Sequence, residues 1–197
     1  MFTVNQISRF FTQPGSMHWS ALKSLLRYLK GTCSLNMEYS KYAISSSTQC
    51  LAGWADADYA NNKEDRNSIS GHVVLVYGNP ISLLSKSKSV VAQSTTEAEL
   101  ISFNICAKQM RWVPFVLRDL GQEIIKLMIF SDNLGAVTIS QQASLNANTK
   151  HIEVRYQYIC DCVIRNLLSI TQFSSTKMIA NILTKPLSAQ QITTVYR

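Results

Sequence analysis

Lys126-Leu127-Met128-Ile129-Phe130-Ser131-Asp132 is an apolar run of strand length that ends on a carboxylate. Its length and bounding residues fit a buried central strand better than a helix. A short helix is expected just after Asp132. Upstream, Leu51 to Asp56 reads as a second strand that also ends on a carboxylate. Between these two lie strands over Ser70 to Tyr77 and Ile81 to Ser87, with Gly78-Asn79 as a hairpin signal. A helix begins near Ser94, where Ser94 and Glu97 have the spacing of a capping box. Its apolar pattern runs to about Trp112. Pro114 is expected to kink it or to start another helix that ends before Gly121. Downstream, Ile152, Tyr156, Ile159 and Val163 mark one face of a helix over Thr149 to Arg165. A strand over Leu168 to Phe173 and a short helix over Met178 to Lys185 complete the pattern before Pro186. Strands joined through a helix pair in parallel, and hairpin strands pair antiparallel. The expectation is an α/β fold with a five-stranded mixed sheet flanked by helices.

Residues 1–49 read as a helical appendage. Pro14-Gly15-Ser16 opens an amphipathic helix with Trp19, Leu22, Leu25, Leu26 and Leu29 at helical spacing, and Gly31 stops it. Residues 50–197 form the main domain, and 197 residues suffice for one core plus such an appendage.

The formal net charge is +7, which favours an acidic partner such as nucleic acid over a merely solvated basic surface. Five cysteines, an odd number without Cys-x-x-Cys spacing, support neither a zinc site nor a disulfide framework. Free thiols in a reducing compartment are expected. No apolar run is long enough to span a membrane and the N-terminus lacks a secretory pattern, so a soluble intracellular protein is expected.

The chain has only twelve acidic residues, yet it places carboxylates where strands meet helices. Asp56 and Asp132 end two strands. If those strands are parallel neighbours, the two carboxylates converge beyond the sheet edge. Glu99, one turn into the helix after the hairpins, reaches the same point. Hard oxygen ligands of this kind suit Mg2+ or Mn2+. Two ions about 4 Å apart orient a water and stabilise the leaving oxygen in phosphodiester cleavage. Single residues carry plainer readings. Asp132 alone would pass for a helix cap. Asp58 suits a turn, and Glu97 has its capping task. His18 and His72 read as structural. Trp19, Trp54 and Trp112 read as core residues more readily than as base-stacking ones.

Gly53-Trp54-Ala55-Asp56-Ala57-Asp58, Asp65-Arg66-Asn67-Ser68-Ile69-Ser70-Gly71, Ser94-Thr95-Thr96-Glu97-Ala98-Glu99, Ser131-Asp132-Asn133, Thr149-Lys150-His151-Ile152-Glu153-Val154-Arg155-Tyr156 and Ile182-Leu183-Thr184-Lys185-Pro186 occur in this order. Together they resemble the ribonuclease H domain of copia-type long-terminal-repeat retrotransposon Pol polyproteins. Ser8-Arg9-Phe10, Pro14-Gly15, His18-Trp19 and Leu26-Arg27-Tyr28-Leu29-Lys30-Gly31-Thr32 look like the tail of the preceding reverse transcriptase, which would make residues 1–49 its remnant. The resemblance implies a ribonuclease H-like fold and two-metal cleavage of the RNA strand of RNA–DNA hybrids. Mg2+ is the implied ion and Mn2+ a substitute. Asp56 would bridge both ions, and Glu99 and Asp132 would hold one of them.

A fourth acidic ligand is expected where this chain has Asn181, whose amide brings no charge. Asn146 and Asn148 stand where the family has a His and an Arg. Arg66, Lys86, Lys88, Lys150, His151 and Arg155 are candidates for phosphate contact, as are Lys108 and Arg111. The implied partners are the hybrid and the reverse transcriptase portion of the parent polyprotein. The implied location is the cytoplasm, in a particle, or the nucleus. No Tyr-x-Asp-Asp motif is present, so polymerase activity is not expected. The alternative reading is a weak or inactive remnant that binds nucleic acid through its basic residues. A third is an unstable product whose N-terminal helix has lost its partner.

Overall fold

The computed structural model describes residues 1–40, 50–60, 66–88, 92–123, 126–142, 150–187 and 191–192. Five strands build the sheet. They are β1 (Cys50–Asp58), β2 (Ile69–Val76), β3 (Asn79–Ser87), β4 (Lys126–Ser131) and β5 (Ser169–Gln172). Their order across the sheet is β3-β2-β1-β4-β5. β1, β2 and β3 form antiparallel hairpins, and β1, β4 and β5 run parallel. This is the expected mixed sheet.

The hairpin loop between β2 and β3 is Tyr77-Gly78, one residue earlier than its sequence signal. Val76 pairs with Asn79, so Asn79 already belongs to β3. Both loop residues have positive φ, 49° and 77°, as a two-residue turn matching the sheet twist requires. Tyr77 adopts the left-handed conformation beside the glycine that tolerates it freely.

Helix α3 (Thr95–Asp119) lies across β1. The close approach is possible because Gly53 has no side chain: a Cβ there would lie 2.5 Å from Met110 Sδ and 2.7 Å from Cys106 Sγ. Pro114 neither breaks this helix nor starts a new one. Burial of Met110 and Val113 on the core anchors the turns around it, which offsets the missing amide. Leu51, Ala55, Val74, Phe103, Ile129 and Ile159 fill the space between sheet and helices. α4 (Leu134–Ser140) follows β4, and α5 (Lys150–Ile164) packs against α3. The last expected helix, over Met178 to Lys185, is shorter than its pattern. It is α6 (Asn181–Thr184), and a separate 3-10 turn at Ser175–Lys177 precedes it.

Two N-terminal helices precede the sheet. α1 (Phe2–Ser8) has no counterpart in the sequence reading, and α2 (Ser16–Gly31) begins and ends as expected. α1 docks on β3, where Asn5 Nδ2 donates to the Ser85 carbonyl at 2.6 Å. Ser40 and Asn79 exchange two further hydrogen bonds, at 2.8 and 3.1 Å. The tryptophans divide. Trp54 packs on Phe130, but Trp19 and Trp112 are 57 % and 59 % exposed, which corrects their reading as core residues. Trp112 points away from the α3 face that carries Phe103, Cys106 and Met110, and α2 buries no residue at all. Among the described residues no helix is long and apolar enough to cross a membrane.

Candidate metal centre

Pairing register brings the two aspartates together, although β1 runs two residues past its expected end at Asp56, to Asp58. The last parallel rung between β1 and β4 joins Trp54 to Phe130. Asp56 and Asp132 each lie two residues beyond it, on the same side of their strands by the period of two. The Ser102 hydroxyl of α3 donates to the carbonyls of Asp56 (2.9 Å) and Gly71 (3.3 Å), which fixes this edge of the sheet.

Glu99 is delivered by the start of α3. Ser94 Oγ accepts from the Glu97 amide at 3.1 Å, and Glu97 Oε2 accepts from the Gln93 amide at 2.6 Å. Glu97 is therefore occupied with capping, as its spacing predicts, and Glu99 points to the sheet. Its Oε1 accepts from the Ala57 amide at 3.2 Å. Asp132 is not a cap. The N-cap of α4 is Asn133, whose Oδ1 accepts from the Ala136 amide at 2.9 Å.

Asp56, Glu99 and Asp132 each present a carboxylate oxygen such that all three atoms lie within 4.8 Å of one another. Asp56 is 1 % and Glu99 5 % exposed. Burial pushes the Asp56 carboxyl above its ordinary range and Asp132 adds to this, while Lys185 and Thr184 oppose it. Glu99 is pushed up further, by burial and then by the Asp56 and Asp132 charges. Glu99 Oε2 is buried and has no hydrogen-bond partner among the described residues. A convergent, desolvated set of anionic oxygens with an unsatisfied member suits a hard divalent cation, which neutralises the charge and fills the open valence. The residues present thus fit such an ion.

The fourth wall is α6. Its approach depends on Gly71, the β2 partner of Asp56. A Cβ at position 71 would lie 2.7 Å from Thr184 Cγ2 and 3.0 Å from Leu183 Cβ. Thr184 Oγ1 donates a short hydrogen bond to Asp56 Oδ2. Lys185 Nζ lies 3.5 Å from Asp56 Oδ1. Asn181 opens α6, three residues before Thr184 and four before the extended C-cap Lys185. Its Nδ2 donates to the Ser175 carbonyl at 3.2 Å, and its Oδ1 is buried without a partner among the described residues. The sequence offered a signal for Thr184 and Lys185 in their spacing from Asn181, but their shared target Asp56 lies far away along the chain, 128 residues from Thr184. Gly71→Ala is expected to push α6 outward at a cost of about 1–3 kcal/mol. A thermal melt would show a lowered Tm together with a weaker stabilising response to Mg2+. An unchanged melt in both conditions would contradict this packing.

The candidate basic contacts do not all gather here. Arg66 is exposed beside β2, with φ 55°. Lys86 is exposed on β3, whereas Lys88 is buried and its Nζ donates to the Ala98 carbonyl at 2.6 Å. The Lys88 charge thereby faces inward and eases the ionisation of Glu99. Lys86, Lys88 and Lys108 line a cleft of about 490 Å³ between β3 and α3, together with His72, Ser82 and Asn104 and, among the described residues, with no acidic side chain. Buried His72 is held neutral, its imidazole pushed down to about 4 by desolvation. Arg111 Nη1 reaches the Cys162 sulfur at 3.7 Å instead of projecting to a partner. The side chains of Lys150, His151 and Arg155, and all of Asn146 and Asn148, lie outside the described residues.

No protein-family model matches the chain. It is 36 % identical over 182 residues to the retrovirus-related Pol polyprotein from transposon TNT 1-94 of Nicotiana tabacum, a match that covers 92 % of this chain. Against the corresponding polyprotein from transposon RE1 of Arabidopsis thaliana it is 34 % identical over 188 residues, or 95 % of this chain. The chain spans 13 % of the length of each of these relatives. Among solved structures it is similar to LC11-RNase H1, isolated from compost, with a TM-score of 0.53 and 14 % identity. That match covers 69 % of this chain and 93 % of the other.

Proposed function

Since the chain belongs to the retrotransposon Pol polyproteins, as their ribonuclease H domain, we propose that it hydrolyses the RNA strand of RNA–DNA hybrids with divalent cations. The observation that carries this reading is the meeting of Asp56, Glu99 and Asp132 at one sheet edge, with ligand atoms within 4.8 Å. Asp56, Glu99 and Asp132 would hold the ions. Mg2+ is the expected ion, and Mn2+ an accepted one. When bound, such ions supply an activated water and neutralise charge at the scissile phosphate. The protein's own task is orientation. Ala57 N–H fixes one Glu99 oxygen and Thr184 fixes one Asp56 oxygen, so the carboxylates need not reorganise. Selectivity for the RNA strand rests on contact with the 2′-hydroxyl. Residues 1–49 are assigned to the end of a copia-type reverse transcriptase and residues 50–197 to the nuclease domain.

A hybrid labelled on each strand tests this. In Mg2+ the RNA strand should be cut and the DNA strand left whole. A purified chain that leaves the hybrid intact in both Mg2+ and Mn2+ sinks the reading. The second reading is a weak or inactive binder, and the uncharged Asn181 favours it.

Binding outside the centre is assigned to the lysine-lined cleft, to Arg66, and by motif to Lys150, His151 and Arg155. Lys86→Glu with Lys108→Glu is expected to weaken hybrid binding and to flatten its salt dependence. Each lost phosphate contact removes about 0.9 from the log–log slope. Fluorescence anisotropy across a salt series reads both quantities. An unchanged slope would take the cleft out of the interface.

A further inference from the structure

α6 grips Asp56 with two side chains of different character. Thr184 is fully buried, wedged against Gly71, and donates to Oδ2. Lys185 reaches Oδ1 from the solvent side, with its side chain 37 % exposed and its ammonium 3.5 Å away. The threonine contact is locked by packing. The lysine contact is an ion pair on a long, flexible stem that can swing into water. Asp56 itself is almost wholly buried, and burial opposes its ionisation.

We propose that Lys185 is a tethered counter-ion of the metal centre. It supports the Asp56 charge in the cation-free protein and competes with an incoming divalent ion for Oδ1. This rests on the metal-site reading given above. A divalent cation at Asp56 and an ammonium within ion-pair distance of the same oxygen repel each other, so the ion enters as Lys185 leaves. The residue at position 181 governs where the lysine goes. It precedes Lys185 by four residues, and Lys185 caps α6 with an extended backbone, so a carboxylate at 181 lies about one turn from the base of the lysine stem. Asn181 offers no such charge, and its amide nitrogen is turned to Ser175. In this chain the lysine stays on Asp56, and divalent binding is weakened twice, by a missing ligand charge and by a resident cation. Positions 181 and 185 act as one device that sets the cation threshold of the site.

Mn2+ binding to the full chain, read from the EPR signal of free Mn2+, tests this without reference to turnover. Lys185→Gln and Lys185→Met are expected to tighten Mn2+ binding about tenfold, the effect of removing one partly screened positive charge a few ångströms away. Lys185→Arg keeps the charge and should stay within about twofold of the parent. In an Asn181→Asp background, Lys185→Gln should matter less, because the lysine there has a second partner. A lysine with a purely structural role would give the opposite sign, with weaker Mn2+ binding and no rescue by arginine. Unchanged or weaker binding in both neutral variants overturns the counter-ion role while leaving the metal centre intact. Absence of Mn2+ binding in the parent and in every variant overturns the metal-site reading and this inference with it.

Discussion

Asp56→Asn is expected to abolish hybrid cleavage and, at the same time, to raise the Tm of the cation-free protein. The two effects share one cause. Asp56 is buried beside Glu99 and Asp132, and all three ligand atoms lie within 4.8 Å. Without a cation this is a region of desolvated like charge, an arrangement that suits ion binding and costs stability. Asparagine keeps an oxygen that can accept from Thr184, removes one buried charge and relieves Glu99. It also deprives Lys185 of its partner, but that lysine is partly exposed and readily solvated. The net gain is expected to be about 1 kcal/mol, or roughly 2–4 °C for a chain of this size. Cleavage should fall by at least ~10³-fold, since one of the three converging carboxylates is gone.

The pH dependence gives this prediction a second handle. The Asp56 and Glu99 carboxyls lie above their ordinary values in the folded state. A raised carboxyl binds its proton more tightly in the fold than in the unfolded chain. Its stabilising contribution is full below the unfolded value and is lost as pH rises through the folded one. The advantage of Asp56→Asn should therefore be greatest near neutral pH and shrink as the solution is acidified into the carboxylate range. Melts in EDTA across that range read it directly. Mg2+ should raise the Tm of the parent by preferential binding to the folded state, and should do little for the variant. A variant that melts lower than the parent in EDTA, or that still cuts the hybrid, contradicts this account of the site.

Much of the fold was legible because local pattern and tertiary demand agree. Lys126 to Ser131 is apolar enough to be a central strand, and it is one. Asp56 and Asp132 could be matched from the sequence on the condition that their strands are parallel neighbours, and the β1–β4 pairing meets it. What escaped was set by contacts distant in sequence. Pro114 looks like a break until Met110 and Val113 are seen buried on the core around it. α1 has a weak pattern of its own and is held by Asn5 on β3, eighty residues away. Trp112 has a core residue's chemistry but lies on the outer side of a helix whose inner face is already filled. Lys88 looked like any basic side chain on a strand end. Only the position of the Ala98 carbonyl turns its ammonium inward. Thr184 and Lys185 lie inside a motif plain in the sequence, yet their work depends on Gly71 letting α6 close over Asp56. Such contacts follow from strand order and packing, which local periodicity does not encode.

Asn181→Asp is the change expected to strengthen the site most. Asn181 opens α6, about one turn before Thr184 and the C-cap Lys185, both engaged with Asp56, and its Oδ1 is buried without a partner among the described residues. An amide oxygen there can complete a coordination shell but adds no charge, and for hard cations affinity follows the number of charged ligands. A fourth carboxylate should tighten divalent binding by about 10- to 100-fold and raise cleavage at limiting Mg2+. The stability effect has opposite signs with and without the ion. In EDTA the added carboxylate joins three others in a desolvated space, so the Tm should fall. With saturating Mg2+ it should exceed that of the parent, because tighter binding to the folded state adds stability in proportion to the logarithm of the affinity gain. A crossover between two pairs of melting curves is therefore the signature, and titration of cleavage against Mg2+ supplies the second measurement. If the variant gains neither affinity nor turnover and its melts do not cross, Asn181 is not the defect of this site. The weak-binder reading would then rest on changes elsewhere in the chain.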